Sequence, residues 1–271
     1  MSRLAYVSHD GERVELDSAR SCVGQGLEIR GRAWKYDLGF RTLSGLSQAA
    51  QTAELRWACS SPEEADRAAA AFDRDAEAKT PGMLVSDGWE RPAYCVATKP
   101  RSWHAPSGSL EADITFALLG QWRKYEQQSF TPVPPRMVHG YPHTYPHTYG
   151  YAGAVRSLNT RSDSPSRPRI TVFGPVSSPR VQIGKNSYSV AADVPSGAYM
   201  VIDGLDRTVK TVMQDGTVRD DFARAERGDG KGCGSYVFED IEPGEQPVSW
   251  AGTFGVEIGW WKERTALPWK E

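Results

Sequence analysis

The chain of 271 residues contains no run of about 18 apolar residues, and its first stretch, MSRLAYVSHDGERVEL, has no apolar segment. A membrane-spanning helix needs about 20 mostly apolar residues, and a secretory signal needs an apolar centre of about 7–15. We therefore expect no membrane partner and no signal peptide.

Charge of one sign is not in excess either, because 32 Lys and Arg residues stand against 34 Asp and Glu residues, for a net charge of -2. Nucleic-acid binding depends on a surplus of basic residues, so this composition predicts no nucleic-acid partner. Hydrophobic residues make up 39% of the chain, which is enough for a packed core and argues against disorder.

Cysteine is scarce: Cys22, Cys59, Cys95 and Cys233 are the four, and none forms a C-x-x-C pair. This pattern favours free, buried thiols in a protein made in a reducing cytoplasm.

Recognisable catalytic motifs are missing as well: the sequence has no H-E-x-x-H, no G-x-S-x-G and no P-loop. The glycine-rich GDGKGCG at 228–234 precedes strand-like sequence and not a helix, so it predicts a loop and not a phosphate site. We predict a protein that is not an enzyme, with no catalytic residue, no cofactor and no metal.

Most of the sequence instead shows apolar and polar residues that alternate with period two, which is typical of half-buried β-strands. Asp10-Gly11 and Asp87-Gly88 interrupt alternating runs and predict tight hairpins. The stretch 27–38 is interpreted as one strand, and Trp34, Trp57 and Trp250 as core residues. We predict that residues 1–136 form a β-sandwich.

One helix is expected at 62–79 in this first domain. Ser61 is a capping residue with proline after it, and Thr80-Pro81-Gly82 ends the pattern. The charged residues, Asp75 among them, are expected on the solvent side. The expected apolar stripe is narrow, as in a helix that covers one sheet: Ala65, Ala68, Ala69, Phe72 and Ala76.

Residues 169–271 consist of short alternating runs separated by tight turns, which predicts a second antiparallel sandwich of the jelly-roll kind. The predicted fold class is therefore mainly β, with two β-sandwich domains. The predicted strands are RITVFG, RVQIG, SYSVAADV, AYMVID, TVKTVM, SYVFED, PVSWAG and FGVEIGWW.

The segment 137–168 is rich in Pro, Ser, Thr and Gly and is interpreted as an extended strap and linker between the domains. In an extended chain alternate side chains share a face, and the prolines exclude a helix. One side of the strap then carries a row of rings, which predicts a rigid aromatic connection. Its residues are His139, Tyr141, His143, Tyr145, His147, Tyr149 and Tyr151.

Trp260 and Trp261 are neighbours in the last predicted strand, so their side chains point to opposite faces. One of them is expected to face outward, where it could anchor a subunit interface or stack a sugar ring.

The second half resembles the distal tail proteins (Dit) of long-tailed bacteriophages. The resemblance rests on the FGP turn at 173–175, the P-x-V-x-I at 179–183, the V-I-D at 201–203, Phe222 and the ending GTFGVEIGWWKERTALPW. The Tyr-Pro repeat at 141–146 and the outline of the first half are also similar to that family.

This resemblance implies a structural virion protein at the tail tip, assembled in the host cytoplasm. It implies a hexameric ring made by the N-terminal domain, which joins the tail tube protein to the baseplate, a tail-tip fibre or a receptor-binding protein. It also implies a galectin-like C-terminal domain. We expect the ring contacts to involve the strand edges of 27–38 and 109–119.

Two alternatives stay open. A carbohydrate-binding module for host-surface recognition would use Trp260 or Trp261 as its platform. A tail-associated cell-wall hydrolase would use two carboxylates from distant strands, which no local motif reveals.

We expect no stoichiometric zinc on the strap. Histidines four apart in an extended chain lie about 13 Å from each other, whereas Zn²⁺ holds its nitrogen ligands at about 2 Å. Elemental analysis of metal-stripped protein returned to zinc measures this. One ion per chain that is lost in His143→Ala would contradict the prediction.

Overall fold

The computed structural model describes residues 4–17, 21–24, 26–49, 51–104, 106–133, 154–228 and 234–269. The predicted mainly β class is confirmed. The chain forms two compact units, residues 1–124 with 263–271, and residues 125–262. Within the described ranges, no helix combines the length and the apolar character that crossing a bilayer requires.

The first unit contains one α-helix in its described part, together with a short 3₁₀ helix at Gly26–Arg30. Strand β10 begins here and ends in the second unit. The bounds are β1 (Leu4–Val7), β2 (Arg13–Glu15), β3 (Ser21–Gly24), β4 (Trp34–Leu38), β5 (Leu43–Gln48), β6 (Gln51–Cys59), α1 (Pro62–Ala78), β7 (Gly82–Ser86), β8 (Trp89–His104), β9 (Ser109–Leu118) and β10 (Trp122–Phe130).

These strands pair antiparallel in the order β2-β1-β7-β8, and the pairing continues from β8 through β9 and β6 to β3. The two predicted hairpins are confirmed. Asp87 and Gly88 both have positive φ, 50° and 79°, as the tight turn between β7 and β8 requires. Alternate side chains of β9 point into the core, where Ile114, Phe116 and Leu118 are buried.

The predicted helix is confirmed, but its buried face is rotated from the predicted stripe. The Oγ of Ser61 accepts a hydrogen bond from the backbone N–H of Glu64 at 3.2 Å. Ala68, Ala71 and Phe72 are buried together with Asp75, whereas Ala69 and Ala76 are exposed. The placement of Asp75 on the solvent side was therefore wrong, because strand and turn residues offer this carboxylate hydrogen bonds in the core.

The prediction of one continuous strand at 27–38 was also wrong. Its first part forms the 3₁₀ helix, where Glu28 and Arg30 take helical backbone, and only Trp34–Leu38 is extended. Trp34 is exposed, which contradicts its assignment to the core, while Trp57 and Trp250 are buried as predicted.

The second unit is built of strands and a short 3₁₀ helix at Phe222–Arg224. Strand β21 ends in the first unit. The bounds are β11 (Ala154–Asn159), β12 (Arg167–Phe173), β13 (Val176–Ser177), β14 (Arg180–Ile183), β15 (Asn186–Ser189), β16 (Asp193–Val194), β17 (Tyr199–Asp203), β18 (Thr208–Val212), β19 (Val218–Asp220), β20 (Glu245–Trp250) and β21 (Val256–Arg264).

Two sheets of this unit share one hydrophobic core. One sheet has the order β19-β18-β17-β12-β21-β10, and the other has the order β11-β20-β14-β15. Ile170 and Met200 from the first meet Leu158 and Val248 from the second in the same cluster of buried residues. The predicted strand SYVFED is not a strand: Val237 and Phe238 are buried in a turn region. The galectin-like character of this unit stays a prediction.

The unit limits differ from the predicted domain limits at both ends of the second half. The predicted linker 137–168 contains β11, which pairs with β20 and buries Leu158. The residues 263–271 belong to the first unit, where Leu267 is buried in its core. The segments 1–136 and 169–271 as separately folding domains stay a prediction.

A buried carboxylate fastens helix α1 to the hairpin of β1 and β2. The carboxylate of Asp75 has no exposed surface and accepts hydrogen bonds from Tyr6 Oη at 2.5 Å, from Ser8 Oγ, and from the backbone N–H of His9 at 3.1 Å. His9 Nδ1 lies 2.5 Å from the same carboxylate. Burial raises the pKa of Asp75, but the hydrogen bonds from Ser8, Tyr6 and His9 together lower it below its ordinary value.

We expect Asp75→Asn to lower the free energy of unfolding at pH 7 by about 2 kcal/mol or more, because the donors around the carboxylate lose a charged acceptor. The folded pKa lies below the unfolded value of about 3.9. The carboxylate's contribution is therefore complete above that value and is lost as the pH falls through the folded pKa. Urea unfolding of both proteins should show a difference that shrinks in acid.

The matched control is Asp73→Asn, which makes the same chemical change at an exposed position of the same helix. This variant should have a free energy of unfolding within about 0.5 kcal/mol of that of the unchanged protein. Equal stability of Asp75→Asn and Asp73→Asn at pH 7 would contradict the assignment.

Candidate assembly surface

The hairpin of β4 and β5 has one apolar face and one polar face. Along β4 the large apolar residues Trp34, Tyr36 and Leu38 alternate with Lys35 and Asp37, so the apolar side chains share a face. Such alternation of apolar and polar residues is typical of a strand whose apolar face is buried.

The pairing of the two strands extends this apolar face. Tyr36 lies opposite Leu46, and after a bulge between Asp37 and Leu38 the latter lies opposite Leu43. On the other face Lys35 lies opposite Ser47. The bulge keeps both leucines of the pair together near the tip, where Phe40 follows.

The apolar residues of this hairpin are exposed although the core of the same unit is well packed. Scattered exposed apolar residues are common on proteins, but a contiguous apolar face on one element marks an interaction surface. The exposed fractions are 41% for Trp34, 61% for Tyr36, 75% for Leu38, 95% for Phe40, 51% for Leu43 and 57% for Leu46. We call these six residues, five in the strands and Phe40 in the turn between them, the apolar hairpin face.

The base of the hairpin is fixed while its tip extends away. The backbone N–H of Ala49 donates to the carbonyl of Ala33 at 3.0 Å, and the side-chain amide of Gln48 donates to the carbonyl of Gly120 at 3.0 Å. In the described part of the chain, β4 and β5 pair only with each other. An isolated two-stranded hairpin is marginally stable in water, so this one gains stability once its apolar face is covered.

The other sequence expected to supply an open edge, 109–119, does not do so. Strand β9 pairs with β6 on one side and with β8 on the other. Its backbone hydrogen bonds are therefore used within the unit, and this part of the expectation was wrong.

The two neighbouring tryptophans have different surroundings. Trp260 is only 4% exposed, and its Nε1–H donates to the carbonyl of Thr160 at 3.1 Å. Trp261 is half-buried, and its ring lies against Tyr125 with 4.9 Å between centroids. Burial gives Trp260 a packing role and leaves it little exposed surface, so Trp261 has more surface available for an interface or for stacking a sugar.

The strap residues Tyr141, His143, Tyr145, His147, Tyr149 and Tyr151 lie outside the described residues. Among the residues that are described, no group of His, Cys, Asp and Glu side chains is placed to hold a metal ion. Cys59 and Cys95 are free thiols, and burial raises the pKa of each. The sequence pattern led us to expect a strand over 27–38 but not its hairpin partner β5, although Leu43 and Leu46 are a visible signal for it.

No protein-family model matches the chain, and no curated protein sequence matches it.

Solved structures do resemble it. A chain of the phage P2 baseplate in its activated conformation with calcium aligns at a TM-score of 0.65 and 12% identity, covering 98% of this chain and 100% of that one. A chain of the same baseplate in its strontium form aligns at a TM-score of 0.64 and 12% identity, covering 98% of this chain and 100% of that one. The SPP1 Dit protein aligns at a TM-score of 0.61 and 9% identity, covering 97% of this chain and 99% of that one. That protein is described as a paradigm of the hub adsorption apparatus in phages that infect Gram-positive bacteria. Over nearly its whole length, the chain has the fold of these phage baseplate and Dit hub proteins.

Proposed function

We propose that this protein is a structural component of the tail of a long-tailed phage or prophage, in which copies of the chain form a hexameric ring. The ring joins the tail tube protein to the baseplate or to a tail-tip fibre and receptor-binding protein. Support comes from the fold, which is shared along nearly the entire length with phage baseplate and Dit hub structures, and from the apolar hairpin face.

The apolar hairpin face is the observation that carries the self-association. Covering a fully exposed large apolar side chain contributes about 1.5–3 kcal/mol. The six residues of the apolar hairpin face are 41–95% exposed, so covering each contributes part of that amount, and together they favour association more than the usual surface of a monomer does. A closed ring repeats one heterologous contact, so each chain would offer its hairpin to one neighbour and receive a hairpin from the other.

The proposed role is architectural and needs no catalytic residue, cofactor or metal. The hairpin lies within residues 1–136, which supports this segment as the ring-forming part. The second unit would then be free to contact other tail components. The proposed location is the virion tail tip, after assembly in the host cytoplasm.

We expect Leu46→Glu to break the ring, because it places a charge in the centre of the apolar hairpin face, where burial would leave that charge without a partner. Size-exclusion chromatography with light scattering should show a shift of mass from oligomer to monomer, and negative-stain images should lose their rings.

Ser47→Glu is the matched control. It introduces the same side chain at the next position of β5, on the polar face opposite Lys35, and Ser47 is exposed like Leu46. This variant should assemble as the unchanged protein does. Rings that survive Leu46→Glu, or a chain that is monomeric before any substitution at high concentration, would contradict the proposal.

A further inference from the structure

A groove of about 360 Å³ lies in the second unit. Its size is within the range of sites for small ligands, about 300–1,000 Å³. It is lined by Glu126, Gln127, Gln128, Asn159, Arg161 and Trp260. These side chains are polar hydrogen-bonding groups, except for the largely buried indole of Trp260.

Arg161 holds a backbone conformation that is unfavourable for arginine. Its φ is 46°, in the left-handed region that suits glycine and asparagine. The side-chain oxygen of Asn159 accepts a hydrogen bond from the backbone N–H of Arg161 at 3.0 Å and helps to keep it there. Strained backbone of this kind concentrates at functional sites, where the strain is compensated by the surrounding structure.

The turn that carries Arg161 is anchored by three hydrogen bonds of the preceding residue, Thr160. The carbonyl of Thr160 accepts the indole N–H of Trp260. Its backbone N–H donates to the carbonyl of Gly244 at 3.1 Å, and its Oγ1 accepts from the backbone N–H of Gly244 at 3.1 Å. Arg161 therefore projects from a fixed point and not from a loose loop.

The groove carries a positive charge that the described residues do not neutralise. The carboxylate of Glu126 is held by Lys262 Nζ at 2.8 Å, so these two charges cancel. Within the ranges that the structure describes, the guanidinium of Arg161 makes no hydrogen bond and no ion pair. An exposed guanidinium with five N–H donors matches the geometry of a carboxylate or a phosphate.

We propose that this groove binds an anionic sugar, one that bears a carboxylate or a phosphate. Arg161 pairs with the anion, and the amides of Gln128 and Asn159 exchange hydrogen bonds with hydroxyl groups beside it. Trp260, which also lines the groove, offers an apolar contact to the C–H groups of the sugar ring. The lining residues of the groove belong to the second unit and not to the hairpin, so a substitution in the hairpin leaves these residues unchanged.

Saturation-transfer difference NMR on the full-length protein tests the proposal with glucuronate, glucose 6-phosphate and neutral glucose as probes. We expect signals from at least one of the two anionic sugars and at least tenfold weaker binding of glucose, as loss of one charge-assisted hydrogen bond implies. Which anionic sugar binds tells carboxylate from phosphate. Competition with inorganic phosphate tests whether the sugar itself is recognised.

Arg161→Gly is the decisive variant. Glycine adopts positive φ without strain, so this variant should unfold at the same temperature as the unchanged protein or higher while its binding falls at least tenfold. Lys210→Gln, which removes an exposed positive charge elsewhere in the same unit, should bind normally. Binding that persists in Arg161→Gly, equal binding of glucose, displacement by inorganic phosphate as effective as by the sugar, or no binding at all would each overturn the proposal.

Discussion

The carboxylate of Asp75 is the contact that fixes the first unit, because it joins elements that the backbone alone does not hold together. Helix α1 has few large apolar residues, and its buried face is mostly alanine with Phe72. So small a face buries little apolar surface. The hydrogen bonds from Tyr6, Ser8 and His9 to Asp75 determine which side of the helix faces the core. A buried charge without donors would be strongly unfavourable, so the helix can sit in only one rotation about its axis. The same constraint explains why Ala71 is buried and Ala69 is not.

The apolar hairpin face, unlike the buried face of helix α1, is exposed. Elsewhere in this unit the strands bury alternate side chains in the unit's own core, as β9 does with Ile114 and Phe116. The hairpin repeats that alternation, yet Tyr36, Leu38 and Phe40 are exposed. A face with strand-core composition that the described residues leave uncovered is the observation on which the proposed ring rests.

Arg161 lies in an anchored turn and has a positive φ. The described residues contain other non-glycine positions with positive φ, such as Lys79 at the end of the helix and Asp87 in a hairpin, where the fold requires that conformation. At Arg161 the same geometry holds a cation at a groove of polar side chains. The two proposals together assign the chain two roles, assembly through its first unit and contact with a charged ligand through its second.

Local patterns in the sequence were sufficient wherever the physical cause was local. Asp-Gly turns, the Ser61 cap and the alternation of 109–118 each predict structure from a few neighbouring residues, and each is confirmed. The tertiary structure decided what depends on distant partners. The local sequence predicts that Asp75 faces solvent. Asp75 is buried because Tyr6 and Ser8, almost 70 positions away in the sequence, donate hydrogen bonds to it. Trp34 has the pattern of a core residue and lacks only the layer that would cover it. Alternation states that one face of a strand is apolar, but only the packing of the whole chain determines whether that face meets its own core or is left for another molecule.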